Sequence, residues 1–90
     1  MLARVKLALR IKTSAFDPEL EDLIAAAKKD LELGGVVVPA DDDPLVVRAV
    51  VTYCRANFGQ PDDYDRLKAS YDEQKAQMSM SSGYTKWGDE

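Results

Sequence analysis

The stretch DDPLVVRAVVTYCRANFG, residues 42–59, decides the fold. Its valines favour a strand on propensity alone. Its ends favour a helix. Asp43 is a good N-cap and Pro44 suits a first helical position, while Asn57-Phe58-Gly59, with Pro61 beyond, makes a stop signal. The run between those signals is longer than an ordinary strand. It reads as a helix, and an unusual one. Between Leu45 and Phe58 the polar residues are Arg48, Thr52, Arg55 and Asn57, the first three on one narrow strip. A helix apolar on nearly every side requires burial on nearly every side.

The preceding stretch, SAFDPELEDLIAAAKKDLELGG at residues 14–35, repeats the device. Asp17 stands as N-cap, Pro18 opens the helix, and Glu19, Glu21 and Asp22 meet the positive end of its dipole. Leu20, Leu23, Ile24, Ala27 and Leu31 form one stripe at helical spacing, and Gly34-Gly35 supplies the stop. The spacing predicts a helix over 18–33. Downstream, Tyr64, Leu67, Tyr71 and Met78 recur at three, four and seven residues, which predicts an amphipathic helix over 62–78.

The first segment, MLARVKLALRIK, has two readings. Val5, Leu7, Leu9 and Ile11 alternate as in a strand, whereas Leu2, Val5 and Leu9 suit a short helix. No other segment offers a partner strand, so the helix is preferred. The expected fold is all-α, a small bundle of about four helices, with residues 1–78 as the domain and 79–90 as an extended C-terminal tail.

Ninety residues allow one core. The apolar runs are far too short for a transmembrane helix, and the charges interspersed through the N-terminal segment do not match a secretory signal. Net charge is −4. Residues 1–16 hold Arg4, Lys6, Arg10 and Lys12 with no acid, whereas the segments that follow are acidic. Such a balance suits a binder of phosphate backbones poorly. The basic segment reads as a solvated face or as a contact with an acidic neighbour. The lone Cys54 excludes an internal disulfide, and its apolar surroundings indicate a buried, inert thiol in a reducing compartment.

Catalytic patterns are missing. The chain has no histidine, the commonest general base and metal ligand. One cysteine without histidine cannot build a zinc site. DDDP at 41–44 lacks the ligand spacing of a calcium loop, and Gly34-Gly35 lacks the Lys and Ser/Thr of a phosphate loop. No pair stands out among sixteen carboxylates. The expectation is no enzyme, no cofactor and no metal. A small helical DNA-binding transcription regulator is the alternative. Its recognition helix would carry Arg48, Arg55 and Asn57, or the basic residues of the last helix, which lie among Asp62, Asp63, Asp65, Asp72 and Glu73.

Two features point to an interaction protein. The 44–58 helix has more apolar surface, including Val47 and Val51, than three amphipathic neighbours readily cover. The end of the chain, QMSMSSGYTKWG at 77–88, gathers Met78, Met80, Tyr84 and Trp87 around a Ser-Ser-Gly centre that resists helix. Aromatic side chains of this kind dominate interface hot spots. From the residues alone, this tail either folds back onto its own domain or reaches a partner.

The order LRIKTSAFDPELEDLIAAAKKDLELGGV, DDPLVVRAVVTYCRANFG and YDRLKASYDEQKAQMSMSSGYTKW resembles the small head–tail connector proteins of tailed phages with long non-contractile tails. The resemblance spans essentially the whole chain and rests on order and spacing, not on a catalytic motif. It implies an all-helical, homo-oligomeric ring, commonly twelvefold, beneath the portal. The partners implied are other copies, the portal protein, the next head-completion or tail protein, and DNA that passes without sequence-specific binding. The implied location is the virion, with the host cytoplasm before assembly. On this reading Met78, Met80, Tyr84, Trp87, Val47 and Val51 make oligomer or portal contacts. Asp65 and Asp72 are candidates for an acidic channel face from which DNA is repelled.

Overall fold

A computed structural model describes residues 1–37, 43–59 and 61–80. They form four helices and, among the described residues, no strand: α1 Leu2–Leu9, α2 Asp17–Leu33, α3 Pro44–Asn57 and α4 Tyr64–Ser79. The expected all-α class is the one observed.

α3 is the centre. It packs against α4, α2 and α1, and α1 also touches α2. The Asp43 carboxylate accepts from the Leu45 and Val46 amides at 3.0 and 3.2 Å, which satisfies two donors that the first turn would otherwise leave open. Val46, Ala49, Val50, Cys54 and Ala56 are buried, and Val51, Tyr53 and Phe58 pack against the core. Of the large apolar residues of α3 only Leu45 is exposed. This corrects the expected surplus. Because the helix packs against three neighbours, its own chain covers most of its apolar surface, with Val51, Tyr53 and Phe58 half-buried.

Of the anticipated stripe, α2 buries Leu20, Ile24, Ala27 and Leu31, while Leu23 is half-buried against the core. Its end is a Schellman motif. The Val36 amide donates to the Leu31 carbonyl at 2.9 Å and the Gly35 amide to Glu32 at 3.0 Å, with Gly35 at φ 91°. The accompanying apolar contact is present too, since Val36 and Leu31 both belong to the buried core. The start differs from expectation. Phe16 occupies the N-cap position without a side-chain bond, and the Asp17 carboxylate instead meets Lys6 Nζ at 2.8 Å. The ion pair with α1 outcompetes the local cap, and the Phe16 ring turns edge-on to Phe58, 5.4 Å between centroids.

α1 resolves the strand–helix ambiguity. Val5 is fully buried, and Leu2, Leu9 and Ile11 pack against the core. Leu7, which a strand would align with Val5 and Leu9, is 80% exposed. Arg10 ends the helix in the left-handed region, φ 60° and ψ 39°, and there the Ile11 amide reaches the Lys6 carbonyl at 2.9 Å. The Arg55 guanidinium donates to the Ala8 carbonyl at 3.0 Å, closing an open acceptor of the last turn of α1.

α4 buries Tyr71 and Met78 and half-buries Leu67. It begins two residues later than expected because Asp62 and Asp63 form a turn, with Asp63 as N-cap and paired to Arg66.

Candidate assembly surfaces

The strongest polar constellation joins α2 to α4. The Tyr71 hydroxyl donates to Asp30 Oδ2 at 2.6 Å, and Lys75 Nζ lies 3.1 Å from the same oxygen. The ammonium also sits 5.5 Å from the centre of the Tyr71 ring, and Tyr53 packs edge-on to that ring at 5.3 Å. The Tyr71 hydrogen bond holds the Asp30 carboxyl below its ordinary range, with Lys75 adding to the effect against the opposing cost of burial. Burial, and then Asp30, pushes the Tyr71 phenol well above its usual value. Each group thus stays in the form that the hydrogen bond needs. The arrangement is a clamp between helices.

Cys54 fits the inert reading. It is buried, and desolvation pushes its thiol up to about 11, so the reactive thiolate is scarce at neutral pH. Among the described residues no group of three or more His, Cys, Asp or Glu is placed to hold a metal ion, and no helix is long and apolar enough to cross a membrane.

The regulator alternative keeps only Arg48 as an exposed reader on α3 without a side-chain bond among the described residues. α3 lies in the middle of the bundle, Arg55 is engaged with Ala8, and Asn57 Nδ2 donates to the Tyr53 carbonyl at 2.8 Å. The other candidate, α4, exposes Asp65, Asp72 and Glu73, and Asp62 is exposed in the turn before it. Those acids would repel phosphates.

The proposed contact residues fall into three groups. Met78 is 2% exposed, Val47 is 9% exposed, and Val51 packs against the core, so these three already serve the chain's own interior. Met80 is 81% exposed just beyond α4. Tyr84 and Trp87 lie outside the described residues, as does the 79–90 tail except Ser79 and Met80. Ser79 still belongs to α4. Asp65 and Asp72 are both exposed, and Asp72 pairs with Lys68 at 3.0 Å.

Sequence reasoning missed the exposed apolar residues of the helices themselves. Leu7 and Leu33 are as open as Met80, at 80% and 79%, and Leu45 borders a groove with Arg48, Gln74, Gln77 and Met78. That groove, about 120 Å³, is too small for an ordinary small-molecule site. A signal for Leu7 existed. At about 100° per residue it lies about 160° from Val5 around α1, on the face opposite the core. The alternating pattern of the segment hid it.

The architecture is therefore a small helical unit held by its own core, with apolar side chains presented outward at several points. Among known proteins, the family model described as phage connector protein matches residues 1–85, which include Met80 and Tyr84 and stop short of Trp87. No curated protein matches the chain, and no solved structure does. The family match takes in all four helices and agrees with the resemblance carried by their order and spacing, so the chain belongs to the phage connector protein family.

Proposed function

We propose that this chain is a structural subunit of the phage head–tail connector, assembling as a homo-oligomeric ring beneath the portal. DNA would pass through that ring, and the next head-completion or tail protein would dock on it. The observation that carries this reading is the family match over residues 1–85, nearly the full length. Exposed Leu7, Leu33 and Met80 support it, because large apolar side chains left in water favour association. The net charge of −4 supports passage of DNA without retention, since an acidic lumen offers no counterion-release attraction.

In this proposal Met80, Tyr84 and Trp87 contact an adjoining subunit or the portal. Met78 is not among the contacts, because it completes the core. A chain ending at Met80 keeps that core and tests the tail directly. Purified wild type mixed with portal assemblies should co-sediment and show added rings in electron micrographs. The shortened chain should keep its helicity and lose attachment. A wild type that neither binds a portal nor self-associates refutes the proposal.

A further inference from the structure

The charge of the chain is divided between two helices that do not pack substantially on each other, α1 and α4. Arg4 on α1 and Arg10 at its C-cap flank Leu7 at three-residue intervals, and all three are exposed. Among the described residues neither arginine has an ion-pair partner, whereas Lys6, on the inner side of the helix, is tied to Asp17. A leucine held in water between two unpaired arginines contributes nothing to its own fold.

The outer face of α4 has the opposite character. Asp65, Ala69, Asp72, Ala76 and Met80 follow one another at four, three, four and four residues, so they line one side of the helix, and all five are exposed. Two acids frame a gap at Ala69, and the row ends on the exposed Met80. Asp65 has no ion pair among the described residues, and the Lys68–Asp72 pair is an open surface contact that exchanges readily.

The two faces match in length. Arg4 and Arg10 are six residues apart, about 9 Å along a helix, and Asp65 and Asp72 seven residues apart, about 10.5 Å. Leu7 and Ala69 each fall near the middle of their row. α1 and α4 both pack on α3 and have no substantial packing against each other. One chain therefore cannot bring its own two faces together. Two different, complementary faces on one subunit are the requirement for a heterologous contact, which repeats from copy to copy and closes into a ring when the rotation fits.

We infer that the Arg4–Leu7–Arg10 face of one copy docks on the Asp65–Ala69–Asp72 face of a second copy, with Leu7 seated over Ala69. The inference rests on the ring reading and specifies its subunit contact. It reassigns Asp65 and Asp72, which cannot both line a channel and be covered by a neighbour. The charges give orientation and salt sensitivity, and the leucine gives the apolar anchor. A contact built from one short helix against another is weak by itself, which suits subunits that assemble on a portal template.

The test is charge reversal on the full chain, with sedimentation measured alone and on portal assemblies at low and high ionic strength. R4E/R10E and D65R/D72R should each stay folded by circular dichroism, since all four positions are exposed. Each should weaken self-association by roughly tenfold to a hundredfold. Mixing the two variants should restore it, because each then offers the face that the other needs. Wild-type association should fall with salt. If wild type associates and the reversals leave that association unchanged, this pairing of faces is wrong while the ring reading stands. A wild type that stays solitary on portals overturns both. If wild type retards duplex DNA and R4E/R10E abolishes only that, the basic face is a phosphate contact and the inference fails.

Discussion

Replacing Tyr71 by Phe removes one hydroxyl and leaves the ring that packs against Tyr53. The lost bond is short, 2.6 Å, and its acceptor is a carboxylate held ionised. A hydrogen bond to a charged group contributes about 1.5–3 kcal/mol when well buried. Here the Asp30 side chain is 37% exposed and keeps Lys75 at 3.1 Å, so water and the ammonium replace part of what is lost. The expected cost of Tyr71→Phe is about 1–2 kcal/mol at neutral pH, or about 4–8 °C in melting temperature for each kcal/mol in a domain of this size. Its pH dependence carries a second check. The Asp30 carboxyl is depressed in the folded chain, so its contribution is fully present above its ordinary value of 3.8 and disappears as pH falls through the lower folded value. The gap between wild type and variant, measured as urea midpoints at a series of pH values, should therefore be constant near neutrality and narrow below about pH 4. A variant within about 0.3 kcal/mol of wild type at neutral pH would refute the clamp. So would a gap that stays constant down to the acid limit.

Asp43→Ala should destabilise the chain by about 1 kcal/mol, seen as a lower urea midpoint, because two amides at the head of the central helix lose their acceptor. Arg10→Gly should raise the melting temperature of the monomer by relieving the left-handed strain at φ 60°, a gain of about 1 kcal/mol. The same substitution should weaken self-association, so stability and assembly should move in opposite directions. Cys54 should resist alkylation in native buffer and react fully in urea, since it is buried and its thiol lies at about 11. Fast native labelling would show that α3 opens more readily than its packing implies.

The helices were legible in the sequence because their signals are local. Asp43-Pro44 and Gly34-Gly35 act within one turn of themselves, and of the predicted stripe α2 buries Leu20, Ile24, Ala27 and Leu31, with Leu23 half-buried beside them. Met78 could equally be read into the stripe of the last helix or into the apolar tail, and only packing placed it in the core. Asp17 had the right identity and position for a cap, yet Lys6 from another helix took its carboxylate.

Sequence by itself determined the helical class and the approximate extent of α2, α3 and α4, and the order of the segments, taken with the family match, identified a phage connector. Tertiary structure alone decided which apolar residues are left over. Periodicity says that a residue is apolar and on which side of its own helix it lies, but exposure depends on how many neighbours surround that helix. α3 has three, so Val47 and Val51 are drawn inward, while α1 presents only its inner side to the bundle and leaves Leu7 in water. The Asp30–Tyr71–Lys75 clamp has the same origin, since residues more than forty positions apart meet only after the helices have packed.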